Sequence, residues 1–383
     1  MVTKNREEFS MENKYGLSLL VSENCNMKCS FCYQHKEKAK KNMAIETAEK
    51  AIEKIKQEPG FNGEIEFFGG EPSLNLELIE HIMNKYPEYR YCIISNGLWV
   101  DNPKACELMK RMWHVTISIE GTDYAYQNIK KQPSVRKMIE KVNKIEGLYV
   151  SFNISINGLL LRDFDEYVEN LKFIAESGHN WHIYALRSME DYFKDNNEWF
   201  EFIMLCKEHL PQVYEHYITV YDEGNAEYFS KDIDKEHSPY MCGLDEDITV
   251  RYDGSISPCI RYADIKHNMD EIENLGDHLL ASTVVLSNIK NFPRCENCIV
   301  KNVGVCWMNC PAFHDECERT PGGIERLNQL CERERIRQLL RDEFWAEHPE
   351  YENKKCIYNP DGSRELIDKE VYIDEISIHD KTE

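Results

Sequence analysis

Three thiols on one short segment carry the first chemistry in this chain. Residues 25–33 read Cys25-Asn-Met-Lys-Cys29-Ser-Phe-Cys32-Tyr33, with three and then two residues between successive cysteines. Thiolates at that spacing can converge on one face of a cubane iron–sulfur cluster. Only three are supplied, so one iron keeps an open position, as a ligand-binding catalytic centre needs and a closed structural site does not. The plainer reading of the same residues is a zinc knuckle or scattered buried cysteines.

A second set lies toward the other end. Eleven residues separate Cys242 from Gly254, and Cys259 follows; Cys295 and Cys298 form a CxxC pair, and Cys306, Cys310, Cys317 and Cys331 come after. CxxC pairs suit zinc as well as iron–sulfur sites. The 15 cysteines are an odd number, and the first residues, MVTKNREEFSMENKY, lack the apolar core of a signal peptide. The expected address is the cytoplasm, where thiols stay reduced and tight spacing points to metal.

Lys and Arg number 46 and Asp and Glu 68, a formal charge of −22. That balance argues against nucleic acid held by phosphate neutralisation and against an anionic membrane surface. No run approaches the ~20 apolar residues that cross a bilayer.

The thiol loop must be carried by a scaffold, and the pattern around it is regular. Strands are expected at Gly16–Val21, Glu64–Phe68, Tyr91–Ser95, His114–Ile119, Tyr149–Ile156 and Trp181–Leu186. Helices are expected near 43–57, 75–86, 103–112, 132–145, 163–177 and 197–209, with apolar residues three and four apart. Six successive βα units imply a parallel sheet with helices outside it and ligands at the C-terminal strand ends. Strand two runs into Gly69-Gly70-Glu71, where glycines let the backbone approach a ligand and the carboxylate can receive an ammonium group. Ser118 and Glu120, two apart at the end of strand four, point the same way and can face a ribose. Beyond about residue 230 the pattern turns cysteine-rich, as in lobes that fold around metal. A helical stretch resumes near 323–345, and the acidic tail ends in an alternating run, VYIDEISI, a candidate edge strand.

The CxxxCxxC loop after the first strand resembles that of the radical SAM superfamily. The resemblance spans roughly residues 15–210 and implies an α/β fold, a partial (β/α)6 TIM-like barrel. It implies that Cys25, Cys29 and Cys32 hold a [4Fe–4S] cluster, whose open iron binds S-adenosylmethionine, and that reductive cleavage yields a 5′-deoxyadenosyl radical. Phe31 matches an aromatic near the adenine. Gly69, Gly70 and Glu71 match a segment holding the methionine amino group. Asn96, in Ser95-Asn96-Gly97, and Ser118 with Glu120 match further strand-end contacts, although the family more often has Asp where Glu120 stands.

The later cysteines resemble the SPASM extension, which carries two auxiliary [4Fe–4S] clusters, making three expected in all. Carried over, the first auxiliary cluster takes Cys242, Cys259 and Cys310, and the second Cys295, Cys298, Cys306 and Cys331, with Cys317 the alternative closing ligand. Seven residues between Cys298 and Cys306, where the family has five, imply a small insertion. No cysteine shortly precedes Cys242, so the first auxiliary cluster is left to Cys317, Cys206, a non-cysteine ligand or an open iron. The implied organisation is an arm over 1–14, the barrel over 15–230, the auxiliary-cluster domain over 231–345 and a tail over 346–383.

Enzymes with this extension mostly modify peptides or proteins. The resemblance thus implies a ribosomal, cysteine-containing peptide or protein substrate, a reductase or flavodoxin-type electron donor, and a thioether or other cross-link. Formylglycine formation of the anaerobic sulfatase-maturating type and peptide epimerisation are the alternatives. The first loses ground because Ile260 stands where those enzymes place an Asp base. A zinc-binding interaction protein is the alternative of another class.

Overall fold

The structure, a computed structural model, describes residues 15–32, 34, 41–58, 60–185, 188–218, 247–257, 259–261, 267–271, 295, 298, 300, 306, 310–349, 354–358 and 364–368. The arm before residue 15, Cys242, the boundary near 230 and the alternating run after residue 370 lie outside them.

Six parallel strands stand in chain order: β1 (Tyr15–Ser22), β2 (Phe61–Gly69), β3 (Arg90–Ser95), β4 (His114–Ile119), β5 (Ser151–Ile156) and β6 (Asn180–Ala185). All eight residues of β1 are buried, as expected for a parallel strand inside an α/β layer. Each crossover is helical: α1 (Ile45–Ile55), α2 (Leu76–Lys85), α3 (Pro103–Met109), α4 (Asp123–Ile129) with α5 (Val135–Asn143), and α6 (Phe164–Glu176). In α1 the buried residues are Ala48, Ala51, Ile52 and Ile55, the three-and-four spacing that lays one face on the sheet. This is the partial (β/α)6 barrel expected from the sequence.

Side-chain caps define where the strand-end loops stop. Asn102 accepts from Lys104 N and Ala105 N ahead of α3, Thr122 from Ala125 N ahead of α4, and Ser134 from Lys137 N ahead of α5. Each satisfies a backbone donor that the first turn leaves open, a contribution of about 1 kcal/mol.

Several elements were not expected from the sequence. β7 (Asp247–Val250) adds in parallel on the free side of β1, and β8 (Ser255–Ser257) and β9 (His267–Asn268) continue antiparallel, giving nine strands in the order β6-β5-β4-β3-β2-β1-β7-β8-β9. The single helix expected over 132–145 is preceded by α4. After β6 comes α7 (Asn196–His209), the helix expected near 197–209, and then α8 (Pro211–Ile218), which was not expected. α9 (Pro311–Arg319), also unexpected, precedes the long α10 (Gly323–Glu347), the helix expected near 323–345, which packs on α7 and α8. A hairpin of β10 (Lys354–Tyr358) and β11 (Arg364–Asp368) lies in the tail, before the run expected to form a strand. No helix among the described residues is long and apolar enough to cross a membrane.

Candidate active site

The cysteine loop leaves β1 at Ser22, and the end of β2 docks directly on its first residues. Gly70 N donates to Ser22 O at 2.7 Å and Glu71 N to Asn24 O at 2.8 Å. The glycines make this approach possible: a Cβ on Gly69 would lie 2.1 Å from Ser22 O, and one on Gly70 2.5 Å from Asn24 O. Gly69 also has φ +141°, a conformation side chains resist. Close backbone approach was expected here toward a ligand; the backbone approached is that of the cysteine loop.

Glu71 is fully buried. Its Oε1 accepts from Ser73 N at 3.0 Å and Ser95 Oγ at 2.7 Å, and its Oε2 from Asn96 N at 2.7 Å. Burial raises its pKa, with these donors opposing. The carboxylate thus joins the ends of β2 and β3. With three of about four lone-pair directions in use, one on Oε2 remains for an ammonium group. Asn96 continues the network into the loop, its Nδ2 donating to Asn26 Oδ1 at 2.7 Å and standing 4.0 Å from Cys25 Sγ.

Cys25 is exposed, and Cys29 and Cys32 are half-buried. Desolvation raises the Cys25 pKa, with the charges of Glu71 and Cys32 adding to it. Desolvation pushes Cys29 up to about 11; Lys130 opposes, and Cys32 and Cys25 add. The three thiols therefore sense one another's charge, and loading a metal must displace their protons. Among the described residues, no three His, Cys, Asp or Glu side chains form a single-ion site. A cubane offers each thiolate its own iron, so its ligands need not converge on one point as a lone ion's must. Three soft, mutually coupled, accessible thiols on one anchored loop fit the cluster.

Phe31 is half-buried against the core, with Lys130 Nζ 5.4 Å from its ring centre. Lys130 follows α4, is itself buried, and stands 3.6 Å from Glu120 Oε1. Glu120 is fully buried; its Oε2 accepts from Ser155 Oγ and, at 3.0 Å, from Asn157 Nδ2. Ser118 is half-buried on β4. Lys130, Ser155 and Asn157 were missed by the sequence reading. Ser155 and Asn157 repeat the two-apart pattern of Ser118 and Glu120 at the next strand end, which was the available signal; Lys130 carries none.

Among the later cysteines, Cys310 precedes α9 and Cys317 lies within it, both buried, while Cys259, Cys295, Cys298 and Cys306 are half-buried. Arg261 binds Glu316 of α9 at 2.7 Å and lies over the Phe313 ring, holding the Cys259 segment against that helix. Cys331 is half-buried on α10 and lines an open cavity of about 340 Å³ with Glu325, Gln329 and Arg335. Cys317 is fully buried where Gly323 meets its backbone. Cys206 is sealed in α7, in the core near Tyr167. Cys92, inside β3, is buried too.

The family model "Radical SAM superfamily" matches residues 19–174. The chain is 28% identical over 222 residues to the radical SAM cyclopropyl synthase TigE of Paramaledivibacter caminithermalis, an alignment covering 50% of this chain but only 45% of that protein. It is 22% identical over 356 residues to a cysteine-type anaerobic sulfatase-maturating enzyme of Clostridium perfringens, covering 82% of this chain and 94% of that one. In fold it is similar to SuiB of Streptococcus suis. Against SuiB bound to S-adenosylmethionine the TM-score is 0.56 at 15% identity, over 80% of this chain and 75% of the other. Against SuiB bound to its precursor peptide SuiA it is 0.54 at 16% identity, over 80% and 73%. The chain thus carries a radical SAM domain, and its cofactors are a [4Fe–4S] cluster and S-adenosylmethionine.

Proposed function

We propose that this chain is a radical SAM/SPASM peptide maturase that installs a thioether or other cross-link in a ribosomal, cysteine-containing peptide. The observation that carries the reading is the network running from Glu71 through Asn96 to Asn26, which seats the cysteine loop on the C-terminal strand ends. Cys25, Cys29 and Cys32 would hold the cluster. When bound, the cluster and S-adenosylmethionine supply a 5′-deoxyadenosyl radical that abstracts a substrate hydrogen. The chain's part is to bind and orient. Glu71, with Gly69 and Gly70 behind it, presents its remaining lone pair to the methionine amino group; Asn96 fixes the loop; Phe31 offers a ring to the adenine; and Ser118 and Glu120 face the ribose.

The later cysteines would hold two further [4Fe–4S] clusters. Cys242, Cys259 and Cys310 serve the first. Cys295, Cys298, Cys306 and Cys331 serve the second, Cys331 being favoured over Cys317 because it opens into a cavity while Cys317 is sealed in packing. The division into a barrel over 15–230 and an auxiliary domain over 231–345, a cytoplasmic location, and a reductase or flavodoxin-type donor belong to the same reading. A peptide substrate is supported by SuiB's complex with a precursor peptide and by the sulfatase-maturating relative. Formylglycine formation is disfavoured because Ile260 follows Cys259 and the next residue, Arg261, is a cation engaged with Glu316, so neither supplies the base.

Anaerobically purified protein should contain about 12 irons per chain and cleave S-adenosylmethionine on reduction. A candidate peptide from a neighbouring small reading frame should lose about 2 Da per cross-link, two hydrogens per bond made. Zinc without iron or sulfide would end this reading in favour of a zinc-binding interaction protein.

A further inference from the structure

A strained tyrosine links the cysteine loop to the C-terminal helix. Tyr192 has φ +63°, and Lys131 is the other non-glycine residue among those described with positive φ. A β-carbon in that region costs on the order of 1–2 kcal/mol and persists only where its surroundings hold it. Here the hold is visible on both sides. The Tyr192 hydroxyl meets Ser30 Oγ, between Cys29 and Cys32, and donates to Glu190 Oε2 at 3.1 Å. Behind it, Asp191 is buried, and its backbone carbonyl accepts from Gly158 N at 3.0 Å. The Asp191 carboxylate is gripped by two buried arginines of α10, Arg326 at 2.6 Å and Arg333. Arg326 also donates to Ser188 O at 2.9 Å, and Arg333 to Asn196 Oδ1 at 2.8 Å.

We propose that Tyr192 is a positioning residue for the cluster loop, and that α10 sets it in place through Asp191. A chain of direct contacts therefore runs from the helix bearing Cys331 to the residue beside Cys29. The strained backbone turns the ring toward Ser30, and the double arginine clamp over-determines that conformation. Ser30 N also donates to Ile129 O at 3.1 Å, and Tyr192 adds a side-chain tether to the same residue from the segment that follows β6. The inference rests on residues 25–32 being the cluster loop, but the tether is a property of the polypeptide and can be measured without metal.

The test uses Tyr192→Phe, which keeps the ring and removes the hydroxyl, with Ser30→Ala and the double variant. In metal-free full-length protein, hydrogen exchange of residues 26–32 should be about fivefold or more faster in Tyr192→Phe, with the unfolding midpoint little changed. In reconstituted protein, iron content should stay at the wild-type value. The S-adenosylmethionine-dependent change in the reduced cluster's electron paramagnetic resonance spectrum should be diminished, and the KM for S-adenosylmethionine should rise about threefold or more. The double variant should be no worse than either single one, because both remove the same contact. Arg333→Gln should speed exchange in the same segment from a distance. Unchanged exchange at 26–32 in Tyr192→Phe, or losses that add in the double variant, would overturn the tether. Wild-type protein that takes up no iron would instead refute the cluster loop itself.

Discussion

Glu120 is fully buried, with Oε2 hydrogen-bonded to Ser155 and Asn157 and Oε1 without a hydrogen bond, 3.6 Å from Lys130 Nζ. Burial raises its pKa from 4.5 to about 7, against the opposing pull of Lys130 and the Ser155 hydroxyl. A carboxyl whose folded-state pKa is raised stabilises the fold fully below its unfolded value, and that contribution is lost as pH rises through the folded one. The window therefore runs from about pH 4.5 to about 7. Roughly 2.5 units at ~1.4 kcal/mol each make a full swing of about 3 to 4 kcal/mol. Glu120→Gln removes the titration and keeps the shape. Urea unfolding of metal-free protein, wild type beside variant, should show the wild type losing about 2 to 3 kcal/mol relative to the variant between roughly pH 5 and pH 8. Titrations distant from Glu120 cancel in that difference. A flat difference, or a wild type that gains on the variant as pH rises, would mean that Lys130 keeps Glu120 ionised throughout, and the burial argument would fail.

Cys29→Ala should lower iron by about four atoms per chain and abolish reductive cleavage of S-adenosylmethionine; a variant that cleaves normally removes Cys29 from the site. Gly69→Ala places a Cβ 2.1 Å from Ser22 O; it should cost about 1–3 kcal/mol in unfolding experiments and impair iron loading. Trp199 is buried at 1% exposure with its Nε1 on Tyr217. Trp199→Ala should destabilise by about 3–5 kcal/mol without altering the iron-to-sulfide ratio of whatever protein folds. Cys331→Ala should cost about four irons, whereas Cys317→Ala should lower the melting temperature with iron retained; the reverse pattern would exchange their roles.

The barrel was legible because its signal is local and repeated. Each strand is a short apolar or β-branched run, and each helix presents residues such as Ala48, Ala51, Ile52 and Ile55 at helical spacing. The strand-end residues were legible by placement, since a parallel sheet gathers its C-terminal loops on one side. What escaped depended on long-range pairing. β7 has four residues and joins β1 only across the sheet, so nothing within Asp247–Val250 announces its neighbour. Lys130 gains meaning only from Glu120 and Phe31, which other elements bring to it. α10 was expected from its periodicity, but its row of buried arginines reads as a solvated face until Asp191 is found opposite.

The same distinction explains the glycine pair. From sequence, Gly69 and Gly70 could serve any close contact, and a ligand was the natural candidate. In the fold their amide and Cα surfaces are spent on Ser22 and Asn24, and Glu71 turns inward to bind Ser95 and Asn96. The loop is thereby fixed by its backbone at one end, by Asn26 in the middle and by Ser30 near the other. Cys25 remains exposed, its Sγ accepting from Met27 N at 3.4 Å. A loop held in this way is pre-organised before metal arrives, so the ordering cost falls on folding and not on cluster assembly. Loosening the Asn26 anchor should therefore weaken cluster retention more than it weakens the fold. For Asn96→Ala, faster iron loss to a chelator at an almost unchanged unfolding midpoint is the expected result; a fall in both together would place Asn96 among the residues that merely hold the barrel.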